Sequence, residues 1–207
     1  MLKIFRNKRQ KLMGQNQMGK YFRYAFGEII LVVVGILIAL GINNWNEKRK
    51  TEKVKVQLLE SIQKEIDVNR AQITNVFDYH KKLRDTLKQI DLEALVQGKQ
   101  GLSFWQGHRI FRLRSSSFQT AVQSGVIKDF DLDLSESLNN LYTKIQFYND
   151  FGQSVNNGIY GINRSTEEGA QQMFNFVRMI MEDVYYAESE LLDGFDYNLK
   201  AITKAIE

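Results

Sequence analysis

Residues 29–42 read IILVVVGILIALGI, a run of fourteen residues without a charge. As an α-helix this run is about 21 Å long, which is shorter than the ~30 Å hydrocarbon core of a bilayer. Aromatic residues lie on both sides of it, as they do at the two interfaces of a membrane helix. Counted from Tyr24 to Trp45, the stretch has 22 residues, which is enough to span. The sequence therefore predicts a transmembrane helix over residues 24–45.

Two other interpretations of the apolar run stay open. Ala39-Leu40-Gly41 resembles the small-x-small cleavage site of a secretory signal peptide, although the leader before the run has 28 residues and is longer than usual. A buried helix of a soluble core also tolerates such a run. The aromatic flanks and the long leader favour an uncleaved span.

Positive charge is concentrated at the amino terminus, although the net charge of the chain is only +4. Residues 1–27 carry seven bases and no acid, whereas residues 46–207 carry 21 bases and 23 acids. A basic stretch beside an apolar run favours contact with a lipid bilayer that has anionic headgroups. The absence of a basic folded domain argues against nucleic acid as a partner. The seven bases are Lys3, Arg6, Lys8, Arg9, Lys11, Lys20 and Arg23.

Counting bases next to the apolar run does not set its orientation, because four lie within twenty residues upstream and five downstream. The lengths of the segments before and after the run do predict its orientation. A long domain crosses a membrane largely regardless of charge, whereas a short basic tail resists crossing. We therefore expect residues 1–23 to be a basic cytoplasmic tail and residues 46–207 to be a helical domain on the outer side.

One face of the predicted span carries Glu28, Gly35 and Ala39, together with Val32 and Ile42. Gly35 and Ala39 form a small-xxx-small pair, which allows two membrane helices to approach closely. Glu28 lies at the edge of the apolar run, where a carboxylate is costly unless it is paired or hydrated. This face is a candidate for helix packing with a second copy or a partner. Alternatively, Glu28 reaches the headgroups and the small residues are incidental.

Residues 27–40, GEIILVVVGILIAL, and residues 42–47, INNWNE, resemble the hallmark of a widespread bacterial family of short single-span membrane proteins of unknown function. The leader segment KIFR at residues 3–6 and the segment SFQTAVQSG at residues 117–125 are similar to the same family. The resemblance implies a bacterial inner-membrane protein with a helical periplasmic domain. It implies no particular activity.

A long amphipathic helix is predicted over residues 50–96, ending in the glycine-containing segment 97–101. Apolar residues recur at alternating intervals of three and four over more than four heptads, which is typical of a helix that packs along one seam. The helix is expected to form a coiled coil with other copies or a bundle with later helices. The seam residues are Leu59, Ile62, Ile66, Asn69, Ile73, Val76, His80, Leu83, Leu87 and Ile90.

Two polar residues, Asn69 and His80, fall on this seam. A polar seam residue can fix the register of packed helices, and a histidine can respond to pH. The alternative interpretation, which we favour, places both at the rim of the bundle with ordinary hydrogen-bond partners. Because the seam does not continue the phase of the Gly35 face, we also expect a shift or a bend between Asn43 and Leu58.

Residues 102–117 have the weakest helical pattern, and aromatic residues there alternate with basic ones. Arg109, Arg112 and Arg114 are candidates for an anion-binding patch, since arginines beside aromatic rings can hold phosphate or carboxylate groups. The simpler interpretation is a loop whose aromatic residues cover the bundle and whose arginines are solvated.

Three further helices complete the predicted all-α fold, in which a single N-terminal transmembrane helix precedes the long amphipathic helix and an extracytoplasmic bundle. A short one near Ser116–Ser124 is stopped by Gly125. The second begins at a capping box over residues 133–136, and the third at one over residues 165–168, with a break at 193–194. We expect tyrosines such as Tyr142 and Tyr148 to pack with their hydroxyl groups at the rim.

The chain lacks the usual signatures of catalysis. It has no cysteine, only two histidines and none of the common nucleophile, phosphate-loop or zinc-protease motifs. The aspartates at 129, 131 and 133 lack the glycine and the distal glutamate of a calcium loop. We therefore predict no enzyme activity, no catalytic residue, no cofactor and no metal site.

The function favoured by these features is a membrane-anchored interaction or scaffold protein of the bacterial envelope, with a second copy or an envelope protein as its partner. One alternative is an extracytoplasmic ligand-sensing bundle that signals through a partner subunit, because the cytoplasmic tail is too short for an effector domain. Another is an accessory subunit of a transport or secretion complex.

Overall fold

The computed structural model describes residues 18–91, 93, 104–163 and 165–207. These residues form four α-helices and one short 3₁₀ helix and contain no β-strand, which confirms the all-α prediction. Residues 1–17 of the predicted tail and the predicted helix end at residues 97–101 lie outside the described residues. The helices are α1 (Met18–Gln89), α2 (Ser116–Gln123), α3 (Leu132–Gly161) and α4 (Glu167–Ile206), and the 3₁₀ helix is Val126–Asp129.

The chain divides into two compact units, with the boundary between Lys53 and Val54. In the first unit, α1 contains a window with a mean hydropathy of 2.7 in which no residue is buried. A helix of a soluble core would be covered by the rest of its own chain, so this interpretation of the apolar run is not supported. By length and composition, this is the one helix among the described residues that could cross a membrane.

In the second unit, which is Val54–Glu207, α1 contributes one face to the core. The predicted seam is confirmed, since nine of its ten residues are buried and Ile90 is partly covered. One prediction about this helix is wrong, because it ends at Gln89 rather than near residue 96. Residues 43–58 are helical throughout, and the predicted shift or bend between Asn43 and Leu58 stays a prediction. No proline stands anywhere in the chain to break the helix.

Helices α3 and α4 pack against each other and supply most of the remaining core. Both begin at a residue other than the one we predicted. Asp131, not Asp133, caps α3 by accepting a hydrogen bond from the amide of Asp133 at 3.0 Å. Thr166, not Ser165, caps α4 by accepting one from the amide of Gly169 at 3.1 Å.

The predicted break of α4 at residues 193–194 is absent, because α4 continues to Ile206. Gly194 has a packing role there. A Cβ atom at this position would lie 3.1 Å from Cδ1 of Leu141, so the glycine lets α3 and α4 approach closely. The predicted stop of the short helix α2 is confirmed, since Gly125 follows it in the left-handed region with φ of 74°.

Candidate functional site

The segment 104–115, here called the strap, lies against the bundle and carries the three arginines of the predicted anion patch. Polar side chains of the core form hydrogen bonds with its backbone. The strap contains no helix or strand. Such a segment cannot satisfy its own backbone groups, so other groups must do so wherever it is buried. Side chains from α1 and α3 perform this role, and they include both polar residues of the predicted seam.

Two asparagines hold neighbouring residues of the strap. The side chain of Asn69 on α1 accepts a hydrogen bond from the amide of Arg114 and donates one to its carbonyl oxygen, both at 2.8 Å. Asn149 on α3 does the same for Leu113, at 2.8 and 3.0 Å. The two asparagines therefore attach adjacent residues of the strap to two different helices, α1 and α3.

Tyr79 holds the beginning of the strap. Its hydroxyl group donates to the carbonyl oxygen of Gly107 at 2.6 Å and accepts from the amide of Gln106 at 2.9 Å. Burial is the main reason that the pKa of this phenol is raised. Arg109 has a φ of 49°, which is uncommon for a residue other than glycine, and its guanidinium group lies 5.3 Å from the centre of the Tyr79 ring.

Glu65 on α1 binds the start of α2, directly after the strap. Its buried carboxylate accepts hydrogen bonds from the Ser116 hydroxyl and the Ser117 amide, each at 2.9 Å, and so occupies the amino-terminal end of α2. The hydroxyl group of Tyr142 donates to the same carboxylate at 2.8 Å. Burial and then the negative charge of Glu65 raise the pKa of Tyr142. The prediction of this hydroxyl at the rim is wrong.

His80 lies in the core with no exposed surface, so its predicted place at the rim is also wrong. Its Nε2 atom faces the carbonyl oxygen of His108 at 2.8 Å and must donate to it. Its Nδ1 atom faces both carboxylate oxygens of Glu188, at 2.9 and 2.8 Å, with one proton between the two side chains. The hydroxyl group of Tyr148 donates to Glu188 at 2.7 Å.

His80, Glu188 and Tyr148 have one structural role in common. Their hydrogen bonds connect α1, the strap, α3 and α4. Burial and then the charge of Glu188 raise the pKa of Tyr148, so its hydroxyl group stays protonated and stays a donor. Asn69 is likewise fully buried rather than at the rim. The side-chain nitrogen and oxygen atoms of His80, Glu188 and Tyr148 each have a hydrogen-bond partner, and all three side chains are buried.

His108, on the strap, differs from His80 in the role of its Nδ1 atom. Its Nδ1 atom accepts a hydrogen bond from the amide of Ile110 at 3.3 Å, which requires an unprotonated nitrogen. Burial and, to a smaller extent, the charge of His80 lower the pKa of His108, while a hydrogen bond with Asn156 opposes them. His108 is therefore neutral near pH 7.

The three arginines of the predicted anion patch all lie on the strap with exposed side chains. Arg114 is held by its backbone, and Arg109 contacts the side chain of Gln106 at 3.2 Å. Arg112 lines a pocket of about 310 Å³ together with Asn149, Asp150 and Gln153. Within the part of the chain that the structure describes, none of the three arginines forms an ion pair. Their role in anion binding stays a prediction.

The crevice between α3 and α4 holds two adjoining pockets, of about 710 and 620 Å³, which we call the groove. Carboxylates predominate at one end, the acidic end, and rings at the other, the aromatic end, although Tyr197 lines the first pocket and Asp183 the second. Lys144 and Glu190 line both pockets and form an ion pair at 2.9 Å. The acidic end contains Asp133, Glu136 and Asp193, and the aromatic end contains Phe147, Phe151 and Tyr186.

The predicted packing residues of the span, Glu28, Gly35 and Ala39, lie on the part of α1 that belongs to the first unit. A Cβ atom at Gly35 would have no neighbour within 4 Å. The structure contains one chain and so leaves the predicted helix-packing role of this face as a prediction.

Sequence reasoning missed Glu65, Glu188 and the groove. Glu188 and Asn198 occur on the buried face of α4, in step with its apolar residues at intervals of three and four, so the spacing alone could have revealed them. Glu65 lies one position before the seam residue Ile66, and it is three residues after Ile62 and four before Asn69, so its spacing places it beside the seam. Among the described residues, no group of three histidines or acids is placed to hold a metal ion.

Comparison with protein families matches residues 28–150 to a Family of unknown function (DUF6090). The match covers more than half of the chain, and the chain belongs to this family. A search of curated proteins and a search of solved structures each found no match.

Proposed function

We propose that the chain is a membrane-anchored interaction protein, or scaffold, of the bacterial cell envelope, and that it is oligomeric. In this proposal residues 24–45 span the inner membrane once, the amino terminus is cytoplasmic and residues 46–207 are periplasmic. The basic tail contacts anionic headgroups on the cytoplasmic side.

The observation that carries the proposal is the contrast between the two units. The most apolar window of α1 has no covering at all, which suits a helix solvated by lipid. In the second unit, the five polar or charged residues that are buried among those described each bind another side chain or the backbone, and are therefore occupied in holding the fold. They are Glu65, Asn69, His80, Glu188 and Asn198. A protein with an anchor and a folded domain, and with its buried ionisable groups engaged in this way, is suited to binding rather than to chemistry.

The absence of cysteine from the chain makes its topology directly testable. Lys3→Cys and Tyr160→Cys each introduce one thiol, in the tail and on the exposed surface of α3. In spheroplasts, a membrane-impermeant maleimide should label Tyr160→Cys and should label Lys3→Cys only after the membrane is permeabilised. Labelling of Lys3→Cys in intact spheroplasts contradicts the orientation, and loss of residue 3 from the mature chain indicates a cleaved signal.

The same absence of cysteine allows the packing face of the span to be tested in native membranes. Val32→Cys and Ala39→Cys lie on the face of Gly35, whereas Val33→Cys and Leu37→Cys lie on the opposite side of the helix. If copies associate through this face, oxidation should produce disulfide-linked dimers for the first pair and few for the second. Equal crosslinking on both sides contradicts the proposed face.

Gly35→Leu provides the matching loss-of-function variant. A larger side chain prevents the close approach that small residues permit, so Gly35→Leu should reduce the crosslinking of Val32→Cys about tenfold or more, as expected for a loss of roughly 1.4 kcal/mol. Gly41→Leu is the control, since its position is on the other side of the helix and is equally open within the chain. A similar effect of both variants would indicate a general change in the membrane helix.

A further inference from the structure

The groove between α3 and α4 has two chemically different ends, and no residue of the strap lines either of them. At the aromatic end, Phe147 is 67% exposed and Tyr186 is 60% exposed. Exposed rings around a pocket of about 620 Å³ are unusual on a surface that contacts only water. Phe151 and Leu191 form the less exposed part of this pocket.

The groove as a whole has an excess of negative charge, most of it at the acidic end. Five carboxylates and one ammonium group line the two pockets together, and four of the carboxylates line the pocket of the acidic end. Two other acids of α4 are paired with bases of α1, since Glu182 pairs with Lys88 at 2.7 Å and Asp196 with Arg70 at 2.6 Å. Among the described residues, no ion pair matches the three carboxylates of the acidic end.

This charge decides what can cover the groove. A second copy of the same face would bring like charges together, which is unfavourable in a symmetric interface. A cationic chain would meet complementary charge. Because the rings provide an apolar anchor site at the other end, the occupant needs both features, which are those of a basic amphipathic helix.

We propose that the groove is a docking site for a basic amphipathic helix of another envelope protein. This inference rests on the proposed function and names the surface and the partner chemistry for it. Glu136 and Phe147 are eleven residues apart on α3, which corresponds to about 16 Å. The partner helix should therefore carry its apolar anchor and its basic cluster about three turns apart.

The test uses the full chain in nanodiscs of phosphatidylcholine, which has no net charge, with empty nanodiscs as a blank. The probe is a fluorescein-labelled helical peptide with leucine and tryptophan at one end and a lysine cluster about three turns away. Fluorescence anisotropy should show saturable binding that weakens as NaCl rises from about 50 to 300 mM. Replacing the lysines of the peptide by glutamates should abolish binding.

Variants locate the binding surface. Phe147→Ala should raise the dissociation constant about tenfold or more, as expected for truncating an aromatic anchor, and the double variant Glu136→Lys/Asp193→Lys should do the same by reversing charge. Tyr160→Ala and Asp67→Lys are the controls, because both residues are exposed and lie outside the groove. All four variants change exposed side chains, and thermal unfolding should show that each is folded.

Equal binding of the lysine and glutamate peptides, or no effect of the groove variants, overturns the proposal. Disulfide-linked dimers of Tyr186→Cys in native membranes also overturn it, because a second copy would then cover the groove. The two proposals can fail separately. If the peptide does not bind while Val32→Cys still crosslinks, docking in the groove is wrong and assembly through the span stands.

Discussion

At the scale of single residues, the polar groups of the core are those whose loss should matter most. Glu188 accepts from His80 and from Tyr148 in a site with no exposed surface. Removing one member of a buried ion pair leaves the other without compensation, which costs far more than removing a surface pair. His108 is next to this site and is the residue through which we expect the fold to respond to acid.

Glu188→Gln should lower the free energy of unfolding by about 3–5 kcal/mol, because His80 then faces a neutral group in a dry environment. Chemical denaturation of the full chain in detergent measures this change. Glu190→Gln is the matched control on the same helix. It removes only the exposed ion pair with Lys144 and should cost less than about 1 kcal/mol. Equal effects of both variants would mean that the buried pair has no special role.

Acid should weaken the fold through His108. Its pKa is lowered in the folded chain, so the unfolded chain takes up the proton more readily. The resulting stability is fully present above the unfolded pKa of about 6.5 and is lost as pH falls from there toward the folded pKa. Melting temperatures across this range should fall less steeply for His108→Gln than for the natural chain. Parallel profiles would exclude His108 as the source.

At the scale of elements, the strap is an irregular segment that behaves as part of the core. It is fixed by Asn69 and Tyr79 from α1, by Asn149 from α3, and by the His80 contact with its backbone. Its arginines are therefore presented on a fixed backbone. Close packing also constrains α3 at Gly152, where a Cβ atom would lie 2.8 Å from Cγ2 of Ile110 on the strap.

Truncating either asparagine should release one specific part of the strap. Asn149→Ala should remove the hydrogen-exchange protection of the Leu113 amide, and Asn69→Ala that of the Arg114 amide. Each change should cost about 1–3 kcal/mol, because a buried backbone group loses its partner. Asn157→Ala, an exposed position on α3, is the control and should change neither amide. Protection that persists in both variants would show that the strap is held in another way.

At the scale of the whole molecule, α1 takes part in two different environments. Its first part has an uncovered apolar surface, and its second part has a seam that is buried within the folded unit. The first surface requires lipid or another apolar partner to be stable in a cell, because water does not solvate it favourably. Retention in the membrane should therefore depend on that part alone.

The double variant Val33→Lys/Ile36→Lys should detach the chain from the membrane. Two lysines near the centre of a span raise the free energy of insertion by about 5 kcal/mol or more. The amount of protein that stays in the pellet after an alkaline carbonate wash measures the effect. Asn46→Lys adds a charge outside the apolar run and should stay in the pellet. Unchanged retention of the double variant would contradict the assignment of the span.

The seam of α1 and the stop at Gly125 were predictable because each depends on local periodicity or on one residue's backbone freedom. The exact caps, Asp131 and Thr166, were missed by two residues and one, since several neighbouring side chains could serve. The predicted break at Gly194 failed for a tertiary reason. The glycine is needed for close contact with Leu141, and packing along α4 stabilises the helix through it.

The sequence by itself determined the helical class, the apolar run and the face of α1 that is buried, because these follow from the order of apolar and polar residues along one helix. Only the tertiary structure decided the positions of Glu65, His80 and Glu188, since a charged residue is stable in a core only when distant groups supply its partners. The same is true of the strap and the groove. Both are made by residues far apart in the chain, and no local pattern brings such residues together.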